Sequence, residues 1–285
     1  MSTKKVIGGC LGVILIKILS DILAALLASG LAVLSVSMGI CNLVYAVLYP
    51  ILAFFMTKFF VKKILKLKLS DLGITKFSIK MKYLAVALAL PIAVTAFFLL
   101  FMSGSYVSSG LVGAEKICTV LFGILYTGIA AALVEEIIFR GVIMHLLKSK
   151  INTKVAVLLP SVLFGAVHVL GTGFSLTSCI LAVLAGTLVG IMFSVITLES
   201  GNVWNSAIVH CFWNIVTIGG GLVIGTSVSE TSLTSYVLDS KSIMVTGGEF
   251  GIEASLIAIV AYFLVAAAVL MGMKSRKRNG TIEKN

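Results

Sequence analysis

Long apolar runs, repeated along nearly the whole chain, constrain the fold more than any other feature of the sequence. A run of about 20 apolar residues can cross the hydrocarbon core of a bilayer as an α-helix. With a mean hydropathy of +1.15 and only 12% charged residues, the chain is far more apolar than a soluble globular domain. We predict an all-α fold, a polytopic membrane helical bundle of about eight transmembrane helices. The predicted spans are Val6 to Ala28, Met38 to Val61, Tyr83 to Met102, Ile117 to Leu147, Val155 to Leu170, Leu176 to Leu198, Val203 to Gly225 and Ile252 to Met273.

The distribution of charge predicts how these spans are oriented. The net charge is +11, yet the basic residues lie between apolar runs and at the two ends, which argues against nucleic-acid binding. In an eight-span arrangement most of them share one side of the membrane, including the KKILKLK segment that begins at Lys62. By the positive-inside rule we expect a multi-pass protein of the plasma membrane with both termini in the cytoplasm. Residues 1–285 then form one integral membrane domain, and residues 274–285 form a basic cytoplasmic tail.

Several polar or small residues receive structural interpretations. Lys17 and Asp21 interrupt the first span, and because they are four residues apart we predict that they pair on one helix face. Glu199 and Glu253 fall near the ends of spans, where we predict that water surrounds them. GTLVG, from Gly186 to Gly190, is a pattern typical of close helix packing.

Most other ionisable residues at membrane depth gather in three short motifs. The fourth span contains EEIIFR from Glu135 to Arg140, the fifth contains FGAVH from Phe164 to His168, and the seventh contains HCFWN from His210 to Asn214. A charge in hydrocarbon costs roughly 2.5 to 3.5 kcal/mol on insertion scales, so such residues mark functional sites. Taken singly, each histidine or the asparagine has an alternative interpretation as a hydrogen-bonding residue between helices.

The spacing within EEIIFR predicts different environments for the two glutamates. Glu136 and Arg140 are four residues apart, so they can form a charge-assisted pair that lowers the cost of burying both. Glu135 projects about 100° away from Glu136 around the helix, so it can face a different helix and serve as a general base. Which of the two glutamates meets the water stays open at this point.

Together the three motifs match a hydrolytic constellation. The carboxylates and imidazoles can either activate water directly or bind a divalent metal such as zinc, for which the candidate ligands are Glu135, Glu136, His168 and His210. Asn214 and a protonated histidine can stabilise an oxyanion. The sequence lacks an HExxH pair, so the spacing leaves the metal open.

These residues also carry a family resemblance. EEIIFR resembles an EExxxR motif, FGAVH an FxxxH motif and HCFWN an HxxxN motif, in the order found in the CPBP family of intramembrane proteases. This family, also called the Abi or CAAX-protease family, includes CAAX prenyl endopeptidases and bacteriocin-processing or self-immunity proteins. The resemblance covers about residues 115–225, which we take as a predicted catalytic core. It implies an intramembrane endopeptidase, glutamate-dependent and often classed as a metalloprotease.

The resemblance further implies a role for each motif residue. Glu135 would activate water, assisted by His168. His210 and Asn214 would polarise the scissile carbonyl and stabilise its oxyanion. The implied supporting residues are Glu136, Arg140 and Phe164.

Two other functions stay open from the sequence. One is a non-catalytic bacteriocin self-immunity or partner-binding membrane protein, in which the polar cluster is a structural network. The other is a proton-coupled transporter, since buried Glu and His residues also form proton relays; the lack of an evident internal repeat disfavours it. In the protease interpretation the partners are the lipid bilayer and a membrane-associated peptide or protein substrate.

Overall fold

The bundle consists of eight helices of at least 15 residues, as seen in a computed structural model that describes residues 1–169 and 175–279. The predicted all-α polytopic membrane fold is confirmed. The helices are α1 Thr3–Gly30, α2 Met38–Phe59, α3 Met81–Phe101, α4 Gly113–Lys148, α5 Thr153–His168, α6 Leu176–Ser200, α7 Trp204–Ile218 and α8 Leu256–Arg278. The end of the fifth predicted span, at Leu170, and the end of the predicted basic tail, at 280–285, lie outside the described residues.

Two of the eight helices are shorter than a full membrane span. Among the described residues, six helices are long and apolar enough to cross a membrane, namely α1 to α4, α6 and α8. By contrast, α5 has 16 residues and α7 has 15. At 1.5 Å per residue they rise about 24 Å and about 22 Å, less than the roughly 30 Å of a hydrocarbon core. These two short helices carry the FGAVH and HCFWN motifs.

Three consecutive glycines explain why α7 ends early. The prediction extended this span to Gly225, whereas the helix stops at Ile218 and is followed by Gly219, Gly220 and Gly221. Gly220 has φ of +82°, a left-handed conformation that glycine adopts without a Cβ clash. The residues after the glycines therefore leave the helix and form a strand.

A cap fixes the start of the last helix, which begins at Leu256 rather than at Ile252 as predicted. Ser255 precedes it in an extended conformation, and its Oγ accepts a hydrogen bond from the backbone N–H of Ala258 at 3.1 Å. Such a cap satisfies one of the amides that a helix start leaves without an intrahelical partner. The residues before Ser255 are therefore not part of α8, and they turn towards the bundle.

A small sheet, which the sequence did not predict, lies among the loops that follow α3 and α7. Its strands are β1 Gly104–Ser108, β2 Leu222–Gly225 and β3 Thr234–Leu238. The central β3 pairs antiparallel with β1 and parallel with β2. Tyr236 of β3 donates a hydrogen bond from its hydroxyl to the Met102 carbonyl at 2.9 Å, which fastens the sheet to the end of α3.

Two buried apolar clusters hold the helices together. The first joins α1, α2 and α4 and includes Phe164 of α5. The second joins α3, α6, α7 and α8 and includes Phe193 and Trp213. The Arg140 guanidinium carbon lies 4.4 Å from the ring centre of Phe164 and 5.2 Å from that of Phe193. The EEIIFR motif of α4 is therefore placed where the two clusters meet.

Backbone contact between glycines brings α5 and α6 together. A Cβ added to Gly186 would lie 2.6 Å from the Cα of Gly165, and one added to Gly165 would lie 2.5 Å from the Val183 carbonyl oxygen. A Cβ added to Gly190 would lie 2.9 Å from the Cβ of Ser161. The close-packing interpretation of GTLVG is thus confirmed. The contact fixes the helix that carries His168.

Candidate active site

The two glutamates of EEIIFR occupy different environments, and the helix changes its winding between them. Ala132–Glu135 is α-helical, while the flanking stretches Gly123–Ala131 and Glu136–Ile143 are π-helical. Short π-helical stretches re-aim side chains and are frequent at functional sites. The Glu135 side chain is 17% exposed and lines a cavity, whereas that of Glu136 is 0% exposed.

Glu136 forms the predicted ion pair with Arg140. The distance from Arg140 Nη1 to Glu136 Oε1 is 2.9 Å, and both side chains are buried. The guanidinium also lies over the rings of Phe164 and Phe193, where a cation gains a further electrostatic attraction. Phe164 therefore has a specific contact within this site besides its place in the apolar core.

His210 is held by one glutamate and approaches the other. Its Nδ1 lies 3.1 Å from Glu136 Oε1, and its Nε2 lies 3.9 Å from Glu135 Oε2. An ionised carboxylate only accepts hydrogen bonds, so Nδ1 carries the hydrogen in this contact. Phe193 stacks on the imidazole with ring centres 4.5 Å apart. Glu136 thus orients the ring so that Nε2 is turned towards Glu135.

His168 is oriented by its own helix. Its Nδ1 lies 2.6 Å from the Phe164 carbonyl oxygen, which can only accept, so Nδ1 is the donor. The neutral ring then leaves Nε2 without a hydrogen, as a proton acceptor. The ring packs between Phe164 at 4.5 Å and Phe250 at 5.7 Å, measured between ring centres.

Asn214 lies one turn beyond His210 on α7. Its Nδ2 donates a hydrogen bond to the Thr127 carbonyl of α4 at 2.9 Å. An amide nitrogen carries two hydrogens, so this bond fixes the side chain and leaves one N–H for another acceptor.

One cavity brings the four predicted catalytic residues together. It has a volume of about 380 Å³, and Glu135, His168, His210 and Asn214 all line it. A volume in this range is typical of small-ligand and substrate pockets. Glu136 and Arg140 lie behind its wall, where they contact the residues that face it. The rest of the wall includes Tyr126, Phe193, Trp213, Phe250, Glu253 and Tyr262.

The described residues do not fit the proposed metal. Among residues 1–169 and 175–279, no three His, Cys, Asp or Glu side chains converge as a metal site requires. Of the four candidate ligands, Glu136 already has its Oε1 engaged by Arg140 and by His210. We therefore derive no step of the reaction through a metal.

The predicted pair between Lys17 and Asp21 is wrong. Lys17 Nζ lies 3.9 Å from Glu135 Oε1, and Asp21 instead accepts a hydrogen bond from the Tyr45 hydroxyl of α2. A pair within one helix gains only about 0.2 to 0.5 kcal/mol, so partners on neighbouring helices prevail easily. The Tyr126 hydroxyl lies 3.0 Å from the Tyr45 hydroxyl, and because the one hydrogen of Tyr45 goes to Asp21, Tyr126 is the donor in this contact. Because Lys17 approaches Glu135, the first helix contributes a cation beside the cavity.

The predicted solvation of Glu199 and Glu253 is also wrong. The Glu199 side chain is only 2% exposed and pairs with Lys82 at 2.6 Å and with Arg276. Glu253 Oε1 accepts a hydrogen bond from Trp213 Nε1 at 2.5 Å. Both carboxylates lie near helix ends, as predicted, but neighbouring helices supply their partners instead of water.

Sequence reasoning assigned no site role to three residues that border the catalytic constellation. Two of them had a signal in the sequence, because Lys17 is a charge inside an apolar run and Glu253 is a carboxylate next to an apolar run. Phe193, which stacks on His210, is one aromatic residue among 16 phenylalanines and gave no signal.

Comparison with known families agrees with this site. A family model described as type II CAAX prenyl endopeptidase Rce1-like matches residues 117–216, about a third of the chain. The matched segment runs from α4 into α7 and contains all three motifs. The match supports a CPBP family intramembrane protease, so the resemblance is confirmed at the level of the family. No curated protein matches the chain. The matched segment is similar to a protease family, and the six long apolar helices indicate a multi-pass membrane protein.

Proposed function

We propose that the protein is a membrane-embedded endopeptidase, of the CAAX prenyl protease-like or bacteriocin-processing type, that uses a glutamate to activate water. One observation carries the proposal. A carboxylate, two imidazoles and an amide, contributed by α4, α5 and α7, line a single cavity. These are the groups that peptide hydrolysis needs, namely a base for water and donors for the oxyanion.

Exposure supports Glu135, rather than Glu136, as the base. Glu135 lines the cavity and has 17% of its side chain exposed, so a water molecule in the cavity can reach its carboxylate. Glu136 is fully buried and engaged by Arg140 and His210. The proposed role of Glu136 is to hold the Arg140 guanidinium and the His210 imidazole in place.

In the proposed reaction Glu135 takes a proton from water, and the resulting hydroxide attacks the scissile carbonyl carbon. The Nε2 of His168 accepts a hydrogen bond from the same water and assists its activation. The developing oxyanion accepts hydrogen bonds from the free N–H of Asn214 and from a protonated His210 Nε2. The imidazolium is stabilised by the adjacent Glu136 carboxylate. Glu135 then passes its proton to the amide nitrogen as the C–N bond breaks.

The proposed substrate is a membrane-associated peptide or protein. A protease family implies such a substrate, and a site within an apolar bundle favours chains delivered by the bilayer. The arrangement of basic residues supports an orientation with both termini in the cytoplasm, and the proposed location is the plasma membrane.

The test compares membrane proteomes of cells that contain the wild type, Glu135→Gln or His168→Ala. We expect peptides with new termini in the wild type and their loss in both variants, at equal abundance of the three proteins. Glu230→Gln is a matched control, because this glutamate lies exposed in a loop away from the motifs. Termini that persist in Glu135→Gln would overturn the catalytic assignment, and undiminished protection against a bacteriocin in that variant would favour a non-catalytic immunity protein.

A further inference from the structure

Glu253 connects the last helix to the helix that carries half of the proposed site. It lies in the short 3₁₀ turn Ile252–Ala254, directly before α8 and outside the segment that matches the family. Its Oε1 accepts hydrogen bonds from Trp213 Nε1 at 2.5 Å and from Thr217 Oγ1 at 3.0 Å. A single carboxylate oxygen thus holds two side chains of α7.

The two donors alternate with the proposed oxyanion residues along α7. Trp213 follows His210 by three positions, and Thr217 follows Asn214 by three. Positions three apart lie on neighbouring parts of a helix surface, so all four side chains turn together if α7 rotates. An anchor on Trp213 and Thr217 therefore fixes where His210 and Asn214 point.

The anchor is itself held from α8. The Tyr262 hydroxyl donates a hydrogen bond to the Glu253 carbonyl at 3.1 Å, and the Tyr262 ring meets Trp213 edge to face with centres 5.0 Å apart. A carboxylate near a helix end would otherwise be free to change its rotamer. The two contacts from Tyr262 fix the backbone of Glu253 and the ring of Trp213, which is one of the two donors to the carboxylate.

The need for an anchor follows from the shape of α7. The helix has 15 residues and ends one residue after Thr217, where Gly219 to Gly221 interrupt the chain. A short helix that ends in glycines has no continuing turn to resist rotation or fraying. Asn214 lies within the last turns of this helix.

We propose that Glu253 is a positioning residue, which acts through Trp213 and Thr217 to set the orientation of His210 and Asn214 towards the scissile carbonyl. The inference rests on the proposed function for its catalytic consequence. A misplacement of about 1 Å in a catalytic group can cost on the order of 100-fold in rate. The residue is therefore expected to affect turnover more than substrate binding.

Two substitutions separate positioning from a general loss of structure. Glu253→Gln keeps an Oε1 acceptor for both donors, whereas Glu253→Leu fills similar space without one. In Glu253→Leu we expect kcat to fall about 100-fold with KM changed less than about threefold, and in Glu253→Gln we expect kcat within about threefold of wild type. Glu230→Leu, in an exposed loop, is the matched control and should retain full turnover.

A spectroscopic measurement tests the anchor without requiring any activity. The chain has two tryptophans, so Trp204→Phe leaves Trp213 as the only tryptophan, which can be excited selectively at wavelengths where tyrosine does not absorb. In this background we expect Glu253→Leu to shift the emission maximum, because the indole N–H loses its carboxylate partner, and Glu253→Gln to preserve it. If Glu253→Leu does not fold, Thr217→Val removes one of the two bonds and is expected to lower kcat about fivefold.

The outcomes are distinguishable. An unchanged emission maximum in Glu253→Leu, or full turnover in that variant, would overturn the inference. Equal loss of turnover in Glu253→Gln and Glu253→Leu would also overturn it, because it would indicate direct chemistry by the carboxyl group. Absence of hydrolysis by the wild type would contradict the proposed function, while the emission of Trp213 would still report whether Glu253 anchors α7.

Discussion

Lys17 Nζ lies 3.9 Å from Glu135 Oε1, so a helix outside the family-matched segment meets the carboxylate that faces the cavity. The other oxygen of Glu135 lies 3.9 Å from His210 Nε2. One carboxylate is therefore flanked by two nitrogen groups from two different helices. Both distances are too long for direct hydrogen bonds, so the pairing of Lys17 with Glu135 acts through charge.

Replacing Lys17 should weaken catalysis moderately. The lysine side chain is partly exposed, and its Nζ lies 3.9 Å from the carboxylate, beyond hydrogen-bonding distance, so we expect the pair to contribute at most about 1 kcal/mol. We expect Lys17→Met to lower kcat/KM about two- to fivefold and Lys17→Arg to retain wild-type values. Measurements at rising salt should narrow the difference, since screening weakens the wild-type pair. Equal activity of Lys17→Met and wild type at low salt would contradict this role.

Replacing Arg140 alone should destabilise the fold. It would leave the Glu136 carboxylate buried without its cation, a change that costs about 3 to 5 kcal/mol in buried pairs. Thermal unfolding in detergent should show a lower midpoint for Arg140→Met. Adding Glu136→Gln removes the unpaired charge and should restore part of the loss. If the double variant lost as much stability as the two single variants together, or more, the Glu136–Arg140 pair would not be the source of the effect.

Replacing Asn214 should affect turnover without unfolding the protein. The proposed donor contributes to the oxyanion only in the transition state, so Asn214→Ala should lower kcat by about 100- to 1000-fold with little change in KM. Kinetics with a purified peptide substrate would measure both constants. The thermal unfolding midpoint of Asn214→Ala serves as the control. A rise in KM with unchanged kcat would indicate that Asn214 has a binding role instead.

Removal of metal should leave hydrolysis intact. The described residues do not converge as a metal site, and Glu136 is already occupied by its protein partners. We expect the purified protein to hydrolyse its substrate equally with and without a chelator. Elemental analysis provides the second measurement. Stoichiometric zinc, lost together with activity and regained on adding it back, would contradict the expectation.

Enlarging Gly165 should disturb the contact between α5 and α6. A Cβ there would lie 2.5 Å from a backbone carbonyl oxygen, and such overpacking typically costs about 1 to 3 kcal/mol. Gly165→Ala should therefore lower the thermal midpoint. Gly272→Ala in α8 is the matched control, because a Cβ at that position meets open space. Equal midpoints for the two variants would show that the helices separate at little cost.

Local spacing correctly predicted one of the two ion pairs proposed within a helix, and it predicted none of the contacts between helices. The Glu136–Arg140 pair follows from a four-residue separation, and the burial of the motifs follows from hydropathy. Lys17 and Glu253 have partners whose positions depend on how helices far apart in the chain pack, which spacing does not encode. The same limit explains why the incorrect Lys17–Asp21 pair looked reasonable.

The small sheet and the lengths of α5 and α7 escaped prediction for another reason. The strands have four or five residues each, too few for a distinct alternating pattern. Hydropathy extends an apolar run through Gly219 to Gly221, whereas the backbone ends the helix there. Apolar character thus predicted which segments enter the bundle, and glycine decided where α7 stops.

The shortness of α5 bears on how water reaches such a site. The helix begins near Lys154 and ends at His168, about 24 Å on, before the far side of a typical hydrocarbon core. The last carbonyls of any helix lack intrahelical donors, and lipid cannot supply them. A helix end at this depth favours water over lipid around it, and a hydrolytic reaction would draw on that water.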